Sequence, residues 1–302
     1  MKLAIIGGGG LLGSTTAFYL GSLNILSQIK LIDINENILM SHVMDLEQAF
    51  TSVSTTQIVK ADYNEIDDCD IILITASLPE RRVASRNEFL QGNLGIIQNI
   101  LREIGNLQRD KIIINATNPV DVLNYYIYKK HNCNRNRIIG FSLNDTVRFK
   151  WAIAKLTGLN AKKIKAYCLG EHGDNKVPIF SKIYYKDEKV LLGEEQKDTI
   201  QRKINNWFKE YQALNSGRTS GWTSAIGLTS IIKAIIEDNQ VVIPCSAILE
   251  GEYDAEGVSA GVPLKLGNKG IEGVVDIDIS KDERKLFNEA TIKIKNIIST
   301  II

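Results

Sequence analysis

The chain of 302 residues has three histidines, and one of them, His172, stands in the run Gly170-Glu171-His172-Gly173-Asp174. Imidazole titrates closer to neutrality than any other side chain, so it can both take and give a proton in catalysis. A lone histidine is more often structural, and its neighbours have to decide. Asp145 and Arg148 lie three residues apart on an expected helix, which puts both side chains on one face. Asn118 precedes Pro119, the residue pair of a sharp exit from a strand, where turn chemistry alone would also suit it. The four cysteines, Cys69, Cys133, Cys168 and Cys245, form no Cys-x-x-Cys pair. No His/Cys cluster has the spacing of a zinc site, so no metal is expected.

A second constellation opens the chain. Gly8-Gly9-Gly10-Leu11-Leu12-Gly13 fits G-x-G-x-x-G, follows an apolar strand, heads a helix, and has Asp33 at the end of the next strand. In that context the glycines Gly8, Gly10 and Gly13 allow backbone to approach a pyrophosphate at the helix N-terminus. Asp33 can accept hydrogen bonds from both ribose hydroxyls and would repel a 2′-phosphate, which favours NAD over NADP. The same residues also match G-x-x-x-x-G, but Ser14 follows where a nucleotide-hydrolysing loop needs lysine.

With His172 in its motif, the sequence resembles the L-lactate/malate dehydrogenase family (NAD-dependent L-2-hydroxyacid dehydrogenases) from Met1 to the C-terminal helix. Four further segments carry the resemblance in order and spacing: Ser85-Arg86, Asn115-Ala116-Thr117-Asn118-Pro119-Val120-Asp121, Asp145-Thr146-Val147-Arg148 and Leu249-Glu250-Gly251-Glu252-Tyr253. The resemblance implies His172 as acid–base group, with Asp145 hydrogen-bonded to it to fix the tautomer and stabilise the imidazolium. It implies Arg148 as the bidentate holder of a substrate carboxylate, a geometry lysine cannot supply. It makes Arg86, on the closing loop, the cation that polarises the substrate carbonyl, and Asn118 a hydrogen-bond partner of substrate oxygen. Leu11, Leu12, Thr75, Ala76 and Ser77 are expected beside the cofactor. Asn93, Thr117 and Asn118 complete that set.

The sequence also departs from the family. Where glutamine accompanies lactate and arginine accompanies malate, an ungapped alignment from Thr75 to Arg86 places Glu80. A second substrate carboxylate about 4 Å from Glu80 would be repelled by about 4 kcal/mol at an effective dielectric of 20. A lactate-like acid is therefore expected, with malate the alternative if the loop rearranges to present Arg81 or Arg82. Ser77 replaces a glycine near the cofactor path. Trp222, displaced from its family position, is expected either to line the substrate pocket or to join the core. A catalytically silent NAD-binding regulator would retain the glycines and Asp33 yet be free to lose His172, Asp145, Arg86 or Arg148; all four remain. An NAD- and metal-dependent glycosidase would use Cys/His ligands instead, and only Cys168 lies near His172 in sequence.

These residues need a scaffold. Short apolar runs at Leu3–Ile6, Ile29–Ile34, Gln57–Lys60, Ile71–Thr75 and Lys111–Asn115 read as strands buried on both faces. Helical stretches at Leu11–Leu20, Asn37–Phe50, Arg86–Ile104 and Val120–Lys130 alternate with them. Repeated βα units imply an α/β fold: a Rossmann doubly wound parallel sheet in residues 1–142, followed by an α+β catalytic domain in 143–302. In the second part, helices are expected at Asp145–Leu156, Glu194–Tyr211 and Ser224–Glu237, with mixed strands and turns over Ile164–Tyr185. Val241–Leu249 and Val274–Ile279 read as antiparallel strands. A last helix opens on the capping box Ser280-Lys281-Asp282-Glu283 and carries the core stripe Leu286, Phe287, Ile294, Ile297 and Ile298. A net charge of +1 argues against nucleic acid or an acidic membrane surface as partner. The uncharged stretch from Leu3 to Ile29 is too rich in glycine and hydroxyl groups to span a bilayer. Few, scattered thiols point to the cytoplasm. The resemblance implies a homodimer or homotetramer.

Overall fold

A computed structural model describes residues 1–78, 86–105, 111–131, 133–217 and 219–302. Six parallel strands make its first half: β1 (Lys2–Ile6), β2 (Gln28–Ile32), β3 (Gln57–Lys60), β4 (Ile71–Ile74), β5 (Ile112–Asn115) and β6 (Ile138–Gly140). Helices α1 (Leu11–Ser22), α2 (Glu36–Phe50), α3 (Arg86–Ile104) and α4 (Val120–His131) connect them. The order is β3-β2-β1-β4-β5-β6, the doubly wound arrangement, with its reversal between β1 and β4. Every residue of β4 is buried, because helices cover both faces of a parallel sheet.

The second half begins with α5 (Leu143–Thr157). The short strands β7 (Ile164–Lys165), β8 (Cys168–Gly170), β9 (Lys176–Pro178), β10 (Tyr184–Tyr185) and β11 (Glu188–Lys189) follow. Helices α6 (Glu194–Ala213) and α7 (Trp222–Glu237), strands β12 (Val242–Glu250), β13 (Glu256–Gly267) and β14 (Gly270–Val274), and helix α8 (Lys281–Ile298) complete the chain. The large sheet does not stop at the midpoint. Ser246 of β12 pairs antiparallel with Gly140 of β6, and β13, β8 and β9 extend the same sheet. A second apolar cluster, including Phe149, Ile153, Ile183, Ile200 and Ile204, fastens α6 to α5 and to the small sheet β11-β10-β7.

Three expectations need correction. The partner of β12 is β13, a twelve-residue strand; of Val274–Ile279 only Val274 is strand, at the end of β14. The glycines of β13 suggest turns, yet Gly261 faces Gly170 of β8, where an added Cβ would lie 3.1 Å from the Gly170 carbonyl oxygen. The glycine is there for close strand approach. Leu286 is 51% exposed while its neighbour Phe287 is fully buried, since adjacent helical residues cannot share a face. Strand β2 ends at Ile32, short of the expected Ile34. The capping box of α8 forms as expected: Ser280 Oγ accepts the Glu283 amide, and Glu283 accepts the Ser280 amide.

Candidate active site

The C-terminal ends of β1, β4 and β5 open into one crevice, where the strand order reverses. The turn after β1 is tight. Gly7 adopts φ +94°, and a Cβ there would sit 2.5 Å from the Ala76 amide nitrogen. A Cβ on Gly13 would meet the Gly7 carbonyl oxygen at 2.3 Å. Closest approach therefore falls on Gly7 and Gly13, and Gly7 had no role in the motif as read through Gly8. Gly8 packs on Leu31 (3.0 Å from a built Cβ), and Gly10 is the N-cap residue of α1, whose first turn has no side-chain cap. Uncapped amides at a helix N-terminus, reached through a cradle that any side chain would fill, fit a pyrophosphate.

Asp33 sits just beyond β2 with Oδ2 accepting the Gly9 amide (2.9 Å) and Oδ1 the Asn35 amide (3.0 Å). Asn35, not Asp33, caps α2. Each Asp33 oxygen retains a lone pair for a ribose hydroxyl. Beside it opens a cleft of about 490 Å³ bordered by Asp33, Asp62 and Glu103, with Ile34, Ala61 and Tyr63 among its walls. Burial pushes the Tyr63 phenol up to about 12.

Buried polar groups hold the crevice loops. Thr75 Oγ1 donates toward the Ile6 and Gly7 carbonyls, and Thr117 Oγ1 to that of Ala76. Asn93 is fully buried; its Oδ1 accepts the Leu78 amide (2.8 Å) and its Nδ2 donates to the Asn118 carbonyl (2.7 Å). Asn93 and Thr117, expected as cofactor contacts, thus spend these groups on the protein itself. Leu11 and Ser77 are exposed, and Leu12 and Ala76 half-buried.

The candidate catalytic residues come together from three elements. Asp145 lies inside the first turn of α5, beyond the N-cap position, which is Ser142. Its Oδ2 is 2.6 Å from His172 Nδ1, in the turn after β8, and its Oδ1 is 3.6 Å from Arg148 Nη1. With Nδ1–H donating to the carboxylate, His172 Nε2 is the nitrogen left for chemistry. Burial pulls the His172 pKa down, but the charge of Asp145 and its hydrogen bond prevail, and the imidazolium is favoured. Burial likewise opposes ionisation of Asp145, and the pairing with His172 overrides it, so its pKa falls. The Arg148 pKa is lowered by burial, with Asp145 opposing. Among the described residues none accepts a hydrogen bond from the Arg148 guanidinium. Asn118 is half-buried at the head of α4, joined to Pro119 by a cis peptide bond.

Residues 1–140 match the family model described as lactate/malate dehydrogenase, NAD binding domain, and residues 143–302 match the lactate/malate dehydrogenase alpha/beta C-terminal domain. The chain belongs to the lactate/malate dehydrogenase family. Members are NAD-dependent oxidoreductases acting on a CH–OH group. The L-lactate dehydrogenase of Acetivibrio thermocellus is 30% identical over 311 residues, covering 100% of this chain and 98% of that one. The malate dehydrogenase of Anoxybacillus flavithermus is 31% identical over 307 residues, covering 99% and 98%. The lactate dehydrogenase of Cryptosporidium parvum, solved with lactic acid and nicotinamide adenine dinucleotide, superposes with a TM-score of 0.93 at 28% identity, over 99% of this chain and 97% of that one. Relatives of both names are equally near, so overall likeness does not choose the substrate.

One carboxylate of the family's Asn-Pro-Val-Asp segment had no role in the sequence reading. Asp121, in the first turn of α4, is 2% exposed. Its Oδ2 accepts the His172 backbone amide (2.7 Å) and its Oδ1 the Ser246 hydroxyl (2.5 Å). Burial pushes its pKa up to about 7 against both hydrogen bonds. It pins the histidine turn to the helix that Asn118 precedes. The specificity position Glu80 lies outside the described residues. So does the side chain of Arg86, whose backbone starts α3. Trp222 is 64% exposed at the start of α7, which excludes the core reading. Ser224, two residues on, accepts a hydrogen bond from Asn144 (2.7 Å), so α7 begins beside the start of α5. The glycine cradle yields a test: Gly13→Val should weaken NADH binding at least about tenfold in a fluorescence titration, the scale of about 1.4 kcal/mol for forcing backbone out of the phosphate's path. Unchanged affinity would remove the pyrophosphate assignment.

Proposed function

We propose that the chain interconverts a small L-2-hydroxy acid and its 2-keto acid, with lactate-type substrates preferred. The observation that carries the reading is the 2.6 Å contact between His172 and buried Asp145, with Arg148 one helical turn away. When bound, NAD accepts the hydride of the alcohol, or as NADH delivers it to the ketone. Arg148 takes the substrate carboxylate through parallel N–H donors and so fixes which carbon faces the nicotinamide subsite. In reduction, the proton leaves His172 Nε2 for the keto oxygen; in oxidation, Nε2 takes it from the hydroxyl. Asp145 keeps the imidazolium stable in between. Asn118 donates to the same substrate oxygen, and Arg86 supplies positive charge to it on loop closure. Asp33, with Asp62 and Glu103 bordering the same cleft, supports NAD over NADP, because a 2′-phosphate would meet three carboxylates.

The lactate preference rests on Glu80, which would repel a second substrate carboxylate. Steady-state kcat/KM for pyruvate and oxaloacetate with NADH decides it. Pyruvate is expected to lead by about a hundredfold or more, in line with about 4 kcal/mol of repulsion moderated by solvent. An oxaloacetate preference would select the second reading, malate dehydrogenase with Arg81 or Arg82 presented. The intact His172, Asp145 and Arg148 geometry speaks against a silent regulator.

The proton step has its own signature. Because the His172 pKa is raised, the reactive imidazolium persists above pH 6.5, and reduction declines only as pH rises through the raised value. Asp145→Asn removes the charge that raises it. The declining limb of kcat/KM for pyruvate should move to lower pH, with a loss of about a hundredfold or more at pH 7.5. A limb that stays in place would sever the pair.

We further infer a cofactor domain over residues 1–142 and a catalytic domain over 143–302, working in the cytoplasm as a homodimer or homotetramer. No described helix is long and apolar enough to cross a membrane, and all four cysteines are free. Exposed Leu11 and Phe18 on α1, Met40 and Met44 on α2, and Ile226 on α7 support association, since α1 packs on both other helices. Light scattering at micromolar concentration should give at least twice the 33.6 kDa of one chain; a monomer would refute association.

A further inference from the structure

Arg148 is a planar cation with only 17% of its side chain exposed, and among the described residues its nearest carboxylate oxygen, on Asp145, is at 3.6 Å, beyond hydrogen-bond range. What covers it is an aromatic face. The Trp207 ring, on α6, has its centroid 4.3 Å from Arg148 Cζ, and Tyr211 one turn later stacks on Trp207 at 5.2 Å and 17°. A reciprocal pair lies alongside: Lys203 Nζ of α6 sits 4.8 Å from the Trp151 ring of α5. The pairings 148 with 207 and 151 with 203 run in opposite senses along the two helices. They set an antiparallel register, above an apolar seam that includes Phe149, Ile153, Ile200 and Ile204.

We propose that Trp207 is a positioning residue for the reaction, holding the Arg148 guanidinium flat so that its edge donors stay free for the substrate carboxylate. This rests on Arg148 being the carboxylate holder. A buried cation needs negative potential nearby, and a second carboxylate would supply it by consuming the same N–H donors the substrate needs. An indole face supplies it through its π quadrupole and accepts nothing from the guanidinium edge. The arginine is thereby restrained in plane and left unspent in donors, which is what bidentate capture requires.

Trp207→Phe keeps a π face, and Trp207→Met keeps flexible apolar bulk without one. Both are compared in the full chain with Arg148→Lys. The readouts are KM and kcat for pyruvate or oxaloacetate, whichever turns over faster, and NADH affinity. For Trp207→Met, KM should rise about five- to tenfold, the scale of a partly desolvated cation–π contact, with kcat and NADH affinity within about twofold. Trp207→Phe should stay within about twofold of the parent KM, because the quadrupole is retained. Equal KM effects of the two variants, or none, overturn the proposal. So does a loss spread over KM, kcat and NADH affinity together, which would mark Trp207 as merely structural. If Arg148→Lys raises KM and Trp207→Met does not, the Trp207 role alone falls. If Arg148→Lys leaves KM unchanged, the carboxylate reading of Arg148 falls and takes this one with it.

Discussion

Burial alone would leave His172 without a proton to give, because a low-dielectric pocket disfavours its charged form. The 2.6 Å bond to Asp145 reverses that preference, and the rest of the site is arranged around keeping the bond intact. Asp145 is held in the first turn of α5, 5% exposed, where no solvent competes for Oδ2. The backbone of His172 is fixed independently, through its amide to Asp121. An imidazole anchored at both backbone and Nδ1 has one free end. That end is Nε2.

The anchoring works because the sheet is continuous. Gly140 of β6 pairs with Ser246 of β12, which is also the hydroxyl that donates to Asp121. A Cβ at Gly140 would lie 2.7 Å from the Ser246 Cβ, so the glycine permits the two halves of the sheet to join at this point. The cofactor crevice and the histidine turn thereby border one continuous sheet. Ser259 continues the link from Ser246 to Asn124 Nδ2, so α4 is tied to both β12 and β13 below the site.

Site chemistry is readable from the sequence wherever a motif carries the family resemblance. The roles of His172, Asp145 and Arg148 are legible through the motifs that carry the family resemblance, and the βα alternation predicts the doubly wound sheet at whose crevice Asp33 stands. Asp121 was opaque because its partners lie 51 and 125 residues away. Trp207 was hidden for a different reason: at helical spacing from Ile200 and Ile204 it reads as core stripe, and only packing shows a guanidinium over it. The motif reads from Gly8 in the sequence, but the positive φ falls on Gly7, which sequence spacing does not single out among four consecutive glycines. The glycines of β13 mimic turns for a similar reason, since sequence does not reveal that Gly261 lies against another strand.

The charges of the site bear on which protonation state binds substrate. Burial pushes the Asp121 carboxyl up to about 7, while the charge of Asp145 raises the His172 imidazole above its ordinary value. Protonating His172 adds positive charge to a site whose Arg148, on the proposed mechanism, takes the incoming anion. On the proposed mechanism, the state that admits a 2-keto acid is thus the state that holds the proton it needs. Covering Arg148 with indole in place of a third carboxylate serves the same balance, because another fixed negative charge would have raised the cost of binding any anion there.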